Sequence, residues 1–323
     1  MRILVVKLSS LGDLFHALPA VHAIKTHFDA DIDWVTQREY ASLVECFTDV
    51  DRVITTERRA FLRNMGKLKR ELRSLDYDIV VDLQGLLKSA IVTGMVKGAR
   101  KVGPPFHREG SRIFYGEIGG AQLPDGHAVD QAMAIAAYLG CATDSISFPV
   151  SFSKHDLEPG HQHVGLLPKT RWPSKTWPGG HYVDLAKDLL GGEDVMVHLM
   201  GGPEDTECCD HIANSVSNDR LVNHAGEASL PELGGLLGAL DLLISGDSGP
   251  VHMAAVVGTP ALVLFGPTNA GRTGPYGDAH RVIRAPAPCE PCYDRTCRRH
   301  GEPCLAGISA ETVAAAARNM LET

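Results

Sequence analysis

The sequence predicts an α/β protein of two domains, and three observations carry that expectation. A chain of 323 residues is longer than one hydrophobic core usually serves. Short apolar runs alternate with segments of helical spacing, the pattern of parallel strands joined by helices on both sheet faces. Residues 151–163, SFSKHDLEPGHQH, are polar and offer no core face, which sets a joint between residues 1–155 and 156–323.

In the first half, Ile3–Val6 is a short apolar strand and Leu8–Asp13 a Ser/Gly loop. Leu14, Leu18, Val21, Ile24 and Phe28 then share one helical face. Asp31–Val35 is a second strand and Val53–Thr55 a third. A basic stretch follows that reads as a helix ending near Leu75. Tyr77–Leu83, an apolar run with β-branched residues, suits a buried parallel strand. In the second half, strand Val164–Leu167 leads through a Pro-rich loop to helix His181–Leu190. Strand Val195–Met200 precedes Gly201-Gly202-Pro203 and a helix over Asp205–Ser215. Strand Leu240–Ser245, helix Pro250–Val257, strand Ala261–Phe265 and the Ala-rich helix Ala310–Leu321 complete the series.

Composition narrows the classes. With 44% hydrophobic and 22% charged residues, the chain is neither disordered, collagen-like nor a disulfide-dense miniprotein. No apolar run reaches the ~18 residues of a bilayer span, and the apolar run at Ile3–Val6 is too short for a signal-peptide core. A cytosolic protein is expected, with membrane contact only at a surface. The net charge of −8 is unevenly spread: residues 1–150 carry 18 basic and 18 acidic residues, residues 151–323 carry 13 and 21. Arg58–Arg73 holds seven basic residues, Arg58, Arg59, Arg63, Lys67, Lys69, Arg70 and Arg73, against the single acid Glu71. That stretch is either a solvated helix face or a dock for an anion. An acidic whole without interleaved aromatic and basic residues argues against nucleic acid.

Doubly wound sheets bind ligands outside the carboxyl ends of their strands, and four loops fall there. In Lys7-Leu8-Ser9-Ser10-Leu11-Gly12-Asp13, Asp13 is either a helix cap or a carboxylate free to act as a general base. Pro168–Pro178 packs two Trp and three Pro around Lys169, Arg171 and Lys175, a stiff loop presenting cations suited to phosphate. Gly201–Asp205 permits close backbone approach with an acid nearby for ribose hydroxyls, although Gly-Gly-Pro is also an ordinary turn. Ser245–His252 follows an apolar strand and opens a helix, whose free N–H groups favour an anion. It matches neither the P-loop nor the G-x-G-x-x-G pattern, so ATPase and NAD-dehydrogenase readings lose their main support.

The segments VKLSSLGDLFHALPA (6–20), VDLQGLLKSA (81–90), RWPSKTWP (171–178) and GDSGPVHMAAVVGTPALVLFGPT (246–268) together resemble glycosyltransferase family 9, the lipopolysaccharide heptosyltransferases. VDLQGLLKSA is most similar to the heptosyltransferase I branch. The resemblance implies a B-type glycosyltransferase fold, two Rossmann-like domains facing a central cleft, the first binding a lipid-linked anionic saccharide acceptor and the second ADP-heptose. It implies inverting transfer to the Kdo region of the inner core without a catalytic metal or other cofactor. Asp13 matches the proposed general base and Lys175 the lysine that stabilises the leaving diphosphate. Thr170 and Arg171 match phosphate-site positions, and Asp247, Ser248, Gly249 and His252 match the phosphate and sugar loop. Asp205, with Glu204 beside it, falls nearest the ribose-binding acid. Ser9, Ser10 and Gly12, with Arg58, Arg59 and Arg63, are the acceptor-side candidates. Peripheral work on the cytosolic face of the inner membrane follows.

Four of the eight cysteines, Cys289, Cys292, Cys297 and Cys304, read C-x2-C-x4-C-x6-C. Cytosolic proteins seldom keep structural disulfides, and four close thiols suit a tetrahedral Zn or Fe site of structural kind; incidental reduced cysteines are the alternative. A similar loop occurs in heptosyltransferase II-like and protein-modifying relatives. The runner-up functions are therefore a family 9 transferase with another acceptor, such as a protein, and a metal-stabilised binding protein without activity.

Overall fold

The computed structural model describes residues 1–192, 194–286, 289, 291–297 and 304–322. The chain forms two compact units, Met1–Ser151 and Phe152–Thr323. Within the polar joint, the Ser151 amide closes onto Cys46 O in the first unit. Phe152 lies so close to Gly234 that a Cβ there would come within 2.6 Å of its ring, so residue 152 already belongs to the second unit.

The first unit contains strands β1 (Arg2–Val6), β2 (Asp31–Gln37), β3 (Arg52–Thr56), β4 (Ile79–Asp82), β5 (Arg100–Gly103) and β6 (Glu117–Ile118). They form one parallel sheet in the order β3-β2-β1-β4-β5-β6. The helices are α1 (Leu11–Phe28), α2 (Ala41–Val44), α3 (Phe61–Leu72), α4 (Leu87–Met95) and α5 (Ala128–Tyr138). Leu4, Val6, Val35, Ile54 and Val80 pack against Phe61, Leu68, Leu72 and Val92. Burial of such side chains contributes about 1.5–3 kcal/mol each. Phe61, Leu68 and Leu72 recur at helical spacing, so α3 turns its basic residues outward: all seven cations of Arg58–Arg73 are exposed. Chain order reverses between β1 and β4, whose carboxyl-end loops therefore lie side by side.

The second unit repeats this plan with β7 (Gln162–Leu167), β8 (Val195–Leu199), β9 (Leu221–Asn223), β10 (Leu242–Gly246), β11 (Ala261–Phe265) and β12 (Arg281–Arg284). The parallel order is β12-β11-β10-β7-β8-β9, with the reversal between β7 and β10. Its helices are α6 (Gly179–Leu189), α7 (Thr206–Val216), α8 (Leu230–Leu237), α9 (Gly249–Val257), α10 (Ala270–Thr273) and α11 (Ala310–Leu321). Trp177, Tyr182, Leu242, Ile244 and Val313 lie in its core, and Trp177 Nε1 donates to Ile308 O at 2.9 Å. Among the described residues, no helix is long and apolar enough to cross a membrane.

Candidate functional site

In the second unit the loops after β7, β10 and β11 converge at the reversal point. Gly246 ends β10 beneath the 168–178 loop: a Cβ there would stand 2.3 Å from Lys175 O and 3.0 Å from Thr170 Cγ2. Only glycine fits, and the close approach brings the cation loop over the strand end. The Lys175 ammonium donates to Asp247 Oδ2 at 2.6 Å, and Thr268 Oγ1 donates to the same oxygen at 2.6 Å. The Lys175 ammonium also sits 4.5 Å from the Trp172 ring centroid, with the Arg295 guanidinium 5.6 Å from the same ring. Ser174 ties the loop to residues 294–295, its hydroxyl donating to Asp294 O at 2.6 Å and its amide to Arg295 O at 3.1 Å.

Ser248 is the N-cap of α9, Gly249 its first residue, and His252 lies buried one turn along. The Ser248 hydroxyl is 3.1 Å from Ser245 Oγ. Pro250 has no N–H and the Val251 amide donates to Ser248 O at 3.3 Å, so this start offers the Gly249 amide and the positive end of the dipole; with Lys175 on the adjoining Asp247, this edge is suited to negative charge. Thr170 is half-buried and donates to Trp172 O at 2.8 Å, holding the loop rather than projecting from it. Arg171 is exposed. Asp205 accepts from the Gly202 amide at 2.9 Å, and burial raises its pKa. Glu204 is the exposed neighbour.

In the first unit, helix α1 begins three residues earlier than its apolar spacing suggests. Ser10 is the N-cap and Asp13 the third helical residue. Asp13 Oδ2 accepts from both the Ser10 amide, 2.7 Å, and the Ser10 hydroxyl, 2.8 Å. One carboxylate oxygen therefore closes the first turn, and Oδ1 has no hydrogen bond among the described residues. Capping therefore occupies only one oxygen of the carboxylate. Ser9 and Ser10 are half-buried, and Gly12 is buried within the turn. Arg58, Arg59 and Arg63 are exposed and form no ion pair among the described residues.

Several neighbours were not legible as site residues. Lys7, buried at the end of β1, donates to Leu83 O at 2.8 Å; desolvation lowers its pKa, partly offset by Asp13 and Asp82. Asp82 is fully buried, its pKa raised by desolvation, and accepts from the Gln84 and Gly85 amides and the Tyr115 hydroxyl. Thr268 follows β11, and its place after a strand is the signal that could have found it.

The four-thiolate metal expectation is not supported. Among the described residues, no group of three or more His, Cys, Asp or Glu side chains is arranged to hold a metal ion. Burial, then the neighbouring Cys289, Cys292 and Cys297, raises the Cys304 pKa. Residues 287–288, 290 and 298–303 of that loop lie outside the described residues.

Two doubly wound sheets, one with a cation and a helix N-terminus at its reversal point, are suited to an anionic ligand, and the family match assigns them to the glycosyltransferases. A profile of glycosyltransferase family 9 (heptosyltransferase) matches residues 65–301, and the chain belongs to that family. It is similar to lipopolysaccharide heptosyltransferase 1 of Escherichia coli, with 30% identity over 88% of this chain and 94% of that protein. The corresponding protein of Pseudomonas aeruginosa is 29% identical over 92% of this chain and 87% of its own. The structure of E. coli heptosyltransferase WaaC with ADP matches 99% of this chain and 100% of that chain, with a TM-score of 0.80 and 24% identity; this likeness establishes the fold. The chain is thus a glycosyltransferase, which sets aside the inactive binding protein.

Proposed function

We propose that this protein transfers heptose from ADP-heptose to the Kdo region of the lipopolysaccharide inner core, inverting the anomeric carbon. The observation that carries the reading is the Lys175–Asp247 pair beside the first residues of α9. Breaking the anomeric carbon–oxygen bond leaves the electron pair on a diphosphate oxygen, and Lys175 with the Gly249 amide meets that charge. The new bond forms from an acceptor hydroxyl, whose proton passes to Asp13 Oδ1, so charge and protons balance. Asp247, itself an anion, orients Lys175 and accepts from sugar hydroxyls rather than touching phosphate. The second unit is accordingly the donor domain, with Thr170, Arg171, Ser248, Gly249 and His252 around the nucleotide sugar and Asp205 toward the ribose. The first unit is the acceptor domain.

The exposed cations Arg58, Arg59 and Arg63 supply the acceptor's charge partners and draw the protein to an anionic membrane surface on its cytosolic side. The likeness to heptosyltransferase 1 proteins favours the first heptose addition. A second reading, addition to an already heptosylated core, has support because lipopolysaccharide heptosyltransferase 2 of Salmonella typhimurium is 26% identical over 88% of this chain. Turnover of ADP-heptose with Kdo2-lipid A tests the first reading. ADP binding without turnover on that acceptor, but with turnover on a core already carrying one heptose, establishes the second.

A further inference from the structure

We propose that Gln84 is a positioning residue for the Asp13 carboxylate. The proposal rests on the reading of Asp13 as proton acceptor. Gln84 lies in the loop after β4, across the reversal point from the loop that follows β1. Its Oε1 accepts from two successive amides of that facing loop, Leu8 N at 3.0 Å and Ser9 N at 3.1 Å. The next residue, Ser10, gives both its amide and its hydroxyl to Asp13 Oδ2. One side-chain oxygen thus fixes the peptide immediately before the residue that holds the carboxylate.

Gln84 is itself held. Its amide and that of Gly85 donate to Asp82 Oδ1 at 2.8 and 3.0 Å, and Asp82 Oδ2 accepts from Tyr115 at 2.8 Å. Gly85 has φ +74°, where a Cβ would also stand 2.8 Å from Pro104, so the turn presenting Gln84 requires glycine. Lys7 Nζ fastens Leu83 O from the β1 side. On the opposite flank, Leu8 O accepts from Gln37 N at 3.1 Å and Lys7 O from Trp34 Nε1 at 3.0 Å. The loop before Asp13 is therefore clamped from β2 and from β4, and Gln84 is the clamp nearest the carboxylate. The segment VDLQG is this brace: Asp82 and Gly85 set the turn, and Gln84 reaches across.

Rigid support matters because a displacement of about 1 Å at a reacting group costs roughly 10²-fold in rate. The test compares Gln84→Met, which fills the space without an acceptor, with Gln84→Glu, which keeps an oxygen for both amides. Q84M should lower kcat by about 10²-fold while KM for ADP-heptose stays within about twofold, and Q84E should recover kcat to within about fivefold. If Q84M does not give a cooperative melt with ADP protection, Gln84→Asn, one methylene short of both amides, should show the same fall in kcat. Folded Q84M or Q84N with kcat within about threefold of wild type overturns the proposal, as does Q84E no better than Q84M. Asp13→Ala separates the two readings: an active D13A removes the acceptor role itself. An inactive D13A beside fully active Q84M and Q84N removes only the brace.

Discussion

Lys175 and Asp247 share a 2.6 Å ion pair, most of which is hidden from solvent. Thr268 donates to the same carboxylate oxygen, so the ammonium rests against an oxygen already partly occupied. On the proposed reading, an incoming diphosphate competes for the ammonium while Asp247 keeps Thr268 as a partner. Lys175→Ala should lower kcat by about 10²–10³-fold, the loss typical of one contact to developing negative charge. It also leaves a buried carboxylate short of its cation, which lowers stability. The double variant Lys175→Met with Asp247→Asn should restore the melting temperature without restoring turnover. Recovery of turnover in that double variant would remove Lys175 from the diphosphate.

Asp13 gives a sharper separation, because the cap uses only one of its oxygens and the proposed proton acceptance uses the other. Asp13→Asn keeps an acceptor for the Ser10 amide and hydroxyl, so stability should change by less than about 1 kcal/mol. The amide cannot take a proton, so kcat should fall by about 10²–10⁴-fold. Asp13→Ala loses both. A thermal melt with and without ADP, run beside the rate assay, distinguishes these outcomes; normal turnover by the Asn variant would leave Asp13 a cap alone.

The sequence made the strand–loop–helix units legible where apolar runs were pure, as at β1, β4, β10 and β11. It hid the elements that lack such a run. Strands β6, with two residues, β9, with three, and the charged edge strand β12 (Arg-Val-Ile-Arg) carry little apolar signal. Helix α4, LKSAIVTGM, is only 9 residues long and mixes Lys, Ser and Thr with its apolar positions, which blurs a helical period. Among candidate site residues, loop position after a strand pointed to Lys175 and Asp247. The clamp by Gln84 was invisible, because a pairing between loops more than seventy residues apart leaves no local pattern.

The exposed cations just before α3 and in its first turn offer a test by salt and charge. Replacing Arg58, Arg59 and Arg63 by Ala should raise KM for the anionic acceptor several-fold, with donor KM unchanged. The wild-type acceptor KM should rise with ionic strength, and the triple variant should respond less. Equal acceptor KM in both proteins would make this face a solvated surface only.

On the proposed reading, in which Lys175 and the Gly249 amide meet the charge of the leaving diphosphate, transfer should not depend on a divalent cation. Dialysis against EDTA should leave kcat within about twofold of the untreated enzyme. Loss of turnover that Mg²⁺ restores would assign part of that role to a metal.

A row of histidines in the second unit makes the fold sensitive to acid. His163 Nε2 faces Glu158 O at 2.8 Å, His163 Nδ1 faces His198 Nε2 at 2.9 Å, and His198 Nδ1 faces His224 Nε2 at 3.0 Å. One proton per ring satisfies the row: each Nε2–H donates toward the next acceptor, ending on the Glu158 carbonyl. A second proton on His198 would place two donors face to face. Burial, then the neighbouring His224, His163 and His155, pushes its pKa down to about 4 from 6.5, and burial with His155 lowers that of His224, against which Glu227 acts. The unfolded chain therefore takes up protons first as pH falls. The stability contributed by the neutral row is complete above about pH 6.5 and lost progressively toward pH 4, a decline of roughly 2–3 kcal/mol for His198. Urea melts between pH 7.5 and 4.5 should show this slope. His198→Phe, which removes the most strongly perturbed group, should flatten it at some cost in stability at pH 7. An unchanged slope in H198F would assign the acid sensitivity to other groups.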